Sequence, residues 1–195
     1  MELSLPVLTA LLRDTLADPR GVARRLMAMG LPMPARWMAL ALIAALSSLL
    51  AHLTLAMLTG GQGAAQGILP GPVPFAMLQC GVLVVTAGLV HHLGRWRGGQ
   101  GRFADALLLV VWLQFVLLCL QVLQLVSALI LPPLANIIGI LGMGLFFWLL
   151  TCFVAELHGF PVLGRVFLAI VLAFFVLAIV LAMFLGAIIG APPGV

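Results

Sequence analysis

The chain has 195 residues, 65% of them apolar, and only 14 charged side chains: nine Arg, three Asp and two Glu, with no Lys. Charged residues make up 7% against the roughly 25% of a soluble domain, and the mean hydropathy is +1.32. This balance excludes a water-soluble globular enzyme, a disordered regulator and a nucleic-acid binder, and it makes lipid the solvent. The expected fold class is all-α, a polytopic membrane protein with a five-helix transmembrane bundle and a short amphipathic amino-terminal segment.

Residues 1–36 form the first expected unit, a cytosolic amphipathic segment of two short helices. Leu5, Leu8, Leu12 and Leu16 recur at helical spacing, with Pro6 near the start, where its missing N–H costs little. Asp18 is a good N-cap for the second helix, Pro19 fits its first position and Gly30 fits just past its end. Val22, Leu26 and Met29 fall on one face and Arg20 and Arg24 on another. That pattern reads as an interfacial helix on anionic headgroups, or as arginines that serve only to fix topology.

A five-span domain is expected over 37–190, followed by an outer tail at 191–195. A bilayer core needs roughly 20 apolar residues per helix, and five uncharged runs approach that length: 37–58, 75–93, 106–130, 136–155 and 166–189. The connections are short and rich in Gly and Pro, so none can hold a domain. Arg13, Arg20, Arg24, Arg25 and Arg36 precede the first span, Arg95, Arg97 and Arg102 lie in the second loop, and Arg165 lies in the fourth. All nine fall on one side, which places the amino terminus in the cytosol and the carboxyl terminus outside. The first apolar run is too long for a signal-peptide core and lacks a cleavage site.

Polar and small residues inside the spans predict how helices meet. In span three, Gln114 and Gln121 are seven residues apart and share a face that should look into the bundle with Gln124, either as hydrogen-bonding glue or as a polar path. Ser47, Ser48, His52 and Thr54 offer the same alternatives in span one. Ala135 and Gly139, then Gly142 and Gly144, provide small surfaces in span four. In span five, Ala178, Ala182, Gly186 and Gly190 form a four-residue repeat that should pack closely against another helix, in this chain or in a second copy.

No catalytic constellation is present, and no cofactor or metal is expected. Cys80, Cys119 and Cys152 sit at different depths and form no Cys-x-x-Cys, while His91 and His92 are about 100° apart on a helix and cannot share a metal as an i, i+4 pair would. There is no P-loop, no Ser-His-Asp set and no carboxylate pair within one segment.

Topology brings two inner loops into range of each other, 94–105 and 155–165. Asp105 opens a helix, where a carboxylate suits the positive end of the dipole. Glu156 closes one, where it does not, so Glu156 needs a cation; Arg95, Arg102 and Arg165 are at the right depth. Gly98, Gly99 and Gly101 would allow a tight path with positive φ beneath the bundle. The Gly-Gly-x-Gly run fits a plain turn better than a phosphate cradle, because no strand precedes it and no Lys follows.

The GGxGxFxDAL stretch from Gly98 to Leu107, the ELHG stretch from Glu156 to Gly159, the ADPR at Ala17 to Arg20 and the five spans together resemble the YIP family of multi-pass membrane proteins. The likeness runs from about Asp18 to Ile189. Eukaryotic members interact with Rab GTPases and act in vesicle traffic through a longer cytosolic amino-terminal region, whereas only 36 residues precede span one here. The Arg-only, Ala- and Gly-rich composition looks like that of a high-GC bacterium, so an inner-membrane location is expected.

The resemblance implies a non-enzymatic scaffold or adaptor that organises a protein partner or lipid at its cytosolic face. The candidate inner-face residues are Arg95, Gly98, Gly99, Gly101, Arg102, Asp105, Glu156, His158, Gly159 and Arg165. Expected partners are the lipid bilayer, a membrane or cytosolic protein and a second copy of the chain, with no nucleic acid. The rival expectation is a small ion or solute transporter or channel lined by Glu156, Asp105, His52 and the Gln face. It lacks the internal repeat from which transporters are often built.

Overall fold

The computed structural model describes residues 5–60 and 70–189, which form seven helices: α1 (Leu5–Ala17), α2 (Pro19–Ala28), α3 (Met33–Leu58), α4 (Pro72–Trp96), α5 (Phe103–Ile130), α6 (Pro132–His158) and α7 (Leu163–Ile189). The last five contain stretches long and apolar enough to cross a membrane. α5, with 28 residues, is about 42 Å long at 1.5 Å per residue, enough to pass through the hydrocarbon into both interfaces.

Prolines set the starts of most of these helices. α3, α4 and α6 each carry Pro in the first turn, where the absent N–H has no helical acceptor to lose. Leu131 links α5 to α6 in an extended conformation (φ −147°, ψ 89°), as the residue before a proline prefers, so a single residue separates two antiparallel helices. At the short α2, the Asp18 carboxylate accepts from the Gly21 N–H at 2.9 Å. That carboxylate lies where a Cβ on residue 21 would project, so the cap also requires glycine there.

α5 is the centre of the bundle. One side carries Leu107, Val110, Val111 and Leu118, which pack with Leu40 and Ile43 of α3 and Leu83 and Ala87 of α4. The other carries Ala106, Leu109, Trp112, Leu113 and Val116, which pack with Leu149, Leu150 and Phe153 of α6 and with the amino-terminal helices. α5 and α6 form the most extensive helix pair, whereas α7 packs principally on α6 at the periphery. Phe146 and Phe147 of α6 meet Phe167 and Phe174 of α7 edge-on, with centroids 5.7 to 6.3 Å apart.

The amino-terminal segment departs from the expected interfacial helix. Val22, Ala23 and Leu26 of α2 are buried, and they belong to the cluster formed by α5 and α6. α1 and α2 form a hairpin laid against the bundle. Thr15 of α1 is fully buried, and its hydroxyl donates to the Leu11 carbonyl (2.6 Å) while accepting from the Trp112 indole N–H (3.0 Å). Trp112 lies nine residues into α5, about 13 Å along its axis, so this contact is well inside the helix end. Protein therefore covers the apolar face that the sequence pattern alone would assign to headgroups.

The described part of the small-residue repeat of the last span does not pack against another helix of this chain. Ala178 and Ala182 are exposed rather than packed against another helix, and Gly186 and Gly190 lie outside the residues whose surroundings are described. α7 instead meets α6 through its phenylalanines, and Ala178 and Ala182 are left uncovered by the described residues. Gly139 and Gly142 of α6 do admit a close neighbour: a Cβ on Gly142 would lie 2.7 Å from Leu120 of α5.

Hairpin docking has a chemical readout in Cys152, which is buried on α6 within electrostatic reach of Asp18 and Arg20 at the hairpin corner. A carboxylate in place of Leu26 costs about 2 kcal/mol or more in this apolar contact, which raises the undocked population more than about tenfold. With Cys80 and Cys119 replaced by Ser, Leu26→Asp is therefore expected to make Cys152 react faster with a maleimide than it does in the parent chain.

Candidate functional site

The end of the bundle that carries the arginines is organised around His158, the last residue of α6. α6 stops at Gly159, whose φ of 72° is open to glycine without strain. The Phe160 N–H returns to the Ala155 carbonyl (2.8 Å) and the Gly159 N–H to that of Glu156 (3.4 Å), the paired bonds of a Schellman terminus. α4 ends in the same way: Gly98 has φ 88°, its N–H meets the Arg95 carbonyl (2.9 Å), and the Gly99 N–H meets that of Gly94 (2.9 Å).

Between these termini the imidazole of His158 is buried in a cradle of glycines. A Cβ on Gly94 or Gly99 would overlap the ring, and one on Gly101 would lie 2.6 Å from Leu157 and 2.8 Å from the ring. The ring's partners define its tautomer. Nδ1 accepts from the Gly101 N–H (3.2 Å), so the proton resides on Nε2, which donates to the Val90 carbonyl (3.1 Å). The Gly101 carbonyl in turn accepts from His91 Nδ1 (3.0 Å). Both backbone groups of buried Gly101 are thus satisfied by side chains from α4 and α6, and Phe160 stacks on His158 at 5.6 Å. Of the three loop glycines, only Gly98 uses positive φ; Gly99 and Gly101 are needed for close approach.

Two ion-pair groups flank this cradle. Glu156 is nearly buried and faces two of the three arginines of α2, with Arg20 Nε at 2.8 Å and Arg24 Nη1 at 3.1 Å. Asp105, in the first turn of α5, accepts from Arg36 Nη1 at 2.9 Å, and Arg36 Nε donates to the Leu31 carbonyl at 2.9 Å. Arg36 is almost fully buried, so this pair ties the start of α3 to the start of α5 in low dielectric. A third, exposed pair joins Arg25 to Asp14 across the hairpin.

The expected partners of Glu156 are therefore replaced. Arg95, Arg102 and Arg165 are exposed and form no ion pair among the described residues, whereas docking of α2 on α6 puts Arg20 and Arg24, four residues apart and hence on one face, over the carboxylate. Sequence reasoning missed Arg20, Arg24 and Arg36 as partners because it assigned them to topology. The available signal was scarcity: with so few acids, each buried carboxylate had to claim some arginine, and the i, i+4 pair on α2 could supply two donors.

The Gln face separates rather than lining one path. Gln114 reaches Ser47 of α3 (3.4 Å), Gln121 is exposed, and Gln124 lies against Gly139 of α6. His52 lies between the Ser48 and Pro70 carbonyls (2.8 and 2.9 Å), and Ser48 donates to the Pro72 carbonyl (2.7 Å), so these groups hold the opposite end of α3 to the start of α4. A cavity of about 10 Å³ among Val90, Leu109, Leu150 and Phe153 is apolar and at the lower limit for one water. Cys80, Cys119 and Cys152 are free thiols, and no group of three metal-ligating side chains occurs among the described residues.

Five apolar helices, tied at one end by ion pairs and a histidine-centred loop contact, define a multi-pass helical membrane protein. A family model described as the Yip1 domain matches residues 13–185, and the chain belongs to that family. The match takes in most of the hairpin, both ion-pair groups and the His158 cradle. No curated protein and no solved structure matches the chain.

The two ion pairs differ in how much water their freed partners regain. Asp105→Asn leaves the buried Arg36 guanidinium without its counter-charge, at a cost of about 3–5 kcal/mol. Glu156→Gln leaves Arg20 and Arg24, both partly solvated, and costs about 1–3 kcal/mol. Thermal unfolding in detergent, followed by loss of helicity, is expected to rank the variants in that order. In the same assay Gly99→Ala, which overlaps His158, is expected to cost about 1–3 kcal/mol, with relief when His158 is also replaced by Ala.

Proposed function

We propose that this chain is a non-enzymatic membrane scaffold or adaptor of the Yip1 type, whose arginine-bearing end faces the cytosol and holds a protein partner or lipid there. The single observation that supports this most is the pre-organised inner surface: the α4–α5 loop is fixed from beneath by His91 and His158, yet Arg95, Trp96, Arg97, Gln100 and Arg102 all remain exposed. A surface whose backbone is already ordered loses less entropy on binding. Membership of the Yip1 family and the one-sided arginines support the reading, the latter through the positive-inside rule. The Arg-only, Ala- and Gly-rich composition supports a bacterial inner membrane as its location.

The transporter reading draws less support. Its polar lining is divided among separate helix contacts, and Glu156 and Asp105 are already neutralised by arginines of the same chain. The proposal is tested by replacing Gln100 with a photo-crosslinking amino acid in native membranes and identifying captured proteins by mass spectrometry. A reproducible foreign partner is expected, captured less when Gly99→Ala displaces the loop while membrane insertion is unchanged. Self-crosslinks alone, or capture indifferent to Gly99→Ala, would overturn the adaptor reading.

A further inference from the structure

Every carboxylate among the described residues is already engaged: Asp14 by Arg25, Asp18 by the Gly21 N–H, Asp105 by Arg36, and Glu156 by Arg20 and Arg24. Arg95 and Arg97 make neither an ion pair nor a side-chain hydrogen bond among those residues. They flank Trp96, whose side chain is 81% exposed, so a large aromatic group stands uncovered between two cations that none of the described carboxylates neutralises.

The position of Trp96 on α4 gives this arrangement a direction. Leu78, Val82, Val85, Leu89, Leu93 and Trp96 succeed one another at spacings of three and four, which places them on one stripe of the helix, and all six are exposed. Arg95 and Arg97 precede and follow Trp96 in the chain, Arg95 in the last turn of α4 and Arg97 as the residue that caps it. The stripe is an apolar track running from the span to its arginine-bearing end, where an amphipathic ring and two guanidinium groups terminate it. Trp37, at the same end of α3, is also exposed, as tryptophans at the headgroup level are.

We propose that this track is a binding site for one anionic diacyl glycerophospholipid, its acyl chains along the α4 stripe, its glycerol region on Trp96 and its phosphate between Arg95 and Arg97. The continuity of the apolar track with the cations favours a lipid over a soluble phosphate, which would use the arginines without the stripe. The inference deepens the reading of this end as a docking face, and rests on it, by naming the lipid it holds. The His158 cradle supplies the order, because Gly94 and Gly99 on either side of the Arg95–Arg97 segment are fixed against that ring.

The test is native mass spectrometry of the full chain in detergent, titrated with dioleoyl phosphatidylglycerol or dioleoyl phosphatidylcholine. The parent chain is expected to retain phosphatidylglycerol preferentially. Arg95→Gln/Arg97→Gln is expected to lower that preference roughly thirtyfold, about fivefold per arginine near an anionic surface. Arg165→Gln, a change at an exposed arginine elsewhere, is expected to leave it in place, and Trp96→Ala is expected to weaken retention of both lipids. Glycerol 3-phosphate in excess should not displace the lipid.

Equal retention of the two lipids by the parent chain, equal losses in the Arg165 and Arg95/Arg97 variants, or displacement by glycerol 3-phosphate would each overturn the proposal. The assay contains no second protein, so its failure leaves protein capture at Gln100 untouched. Conversely, loss of that capture with phosphatidylglycerol preference intact would overturn the protein-partner half of the reading and keep its lipid half.

Discussion

Lipid is as apolar as leucine, so the association of these helices gains little from the hydrophobic effect that drives a soluble core, and what holds them is close packing and polar contact. The carboxylate of Glu156 is the contact on which the arrangement at the arginine end depends. It lies nearly buried at the last turn of α6, where the helix dipole opposes it, and two arginines from α2 neutralise it. Those arginines place the amino-terminal hairpin on the bundle, the hairpin covers the apolar surface of α5 and α6, and α3 then begins where Arg36 can reach Asp105.

The same end shows why glycine recurs in the second loop. A histidine ring at the end of α6 occupies space that side chains at positions 94, 99 and 101 would fill, and the resulting fit lets one loop residue, Gly101, bond to histidines from two helices. The loop backbone is thereby fixed to α4 and α6 at once. Its arginines and its tryptophan point away from those contacts, so the groups that determine the shape of the surface are different from the groups that the surface presents.

This division of labour bears on the functional reading. Glu156, Asp105 and His158 are engaged within the chain, through Arg20 and Arg24, Arg36, and backbone groups respectively. An adaptor needs an ordered outer surface more than free titratable groups within, and the exposed Arg95, Trp96, Arg97 and Gln100 supply one.

The sequence by itself determined the class of protein, because uncharged runs of span length and a near absence of acids admit only helices in lipid. It also determined the cap of α2 by Asp18, a local event governed by the residues beside it. Arginine pairing was decided only by the tertiary structure, since all nine arginines lie toward the same end of the spans and the docking of α2 selects which two meet Glu156. The Gln face and the alanine stripe of α7 follow the same rule: helical periodicity says which residues share a face, but which neighbour covers that face depends on how five apolar helices of similar character are arranged. Apolar surface carries no address in lipid, and only the few polar contacts between helices, from Thr15 to Trp112 and from Arg36 to Asp105, distinguish one arrangement from another.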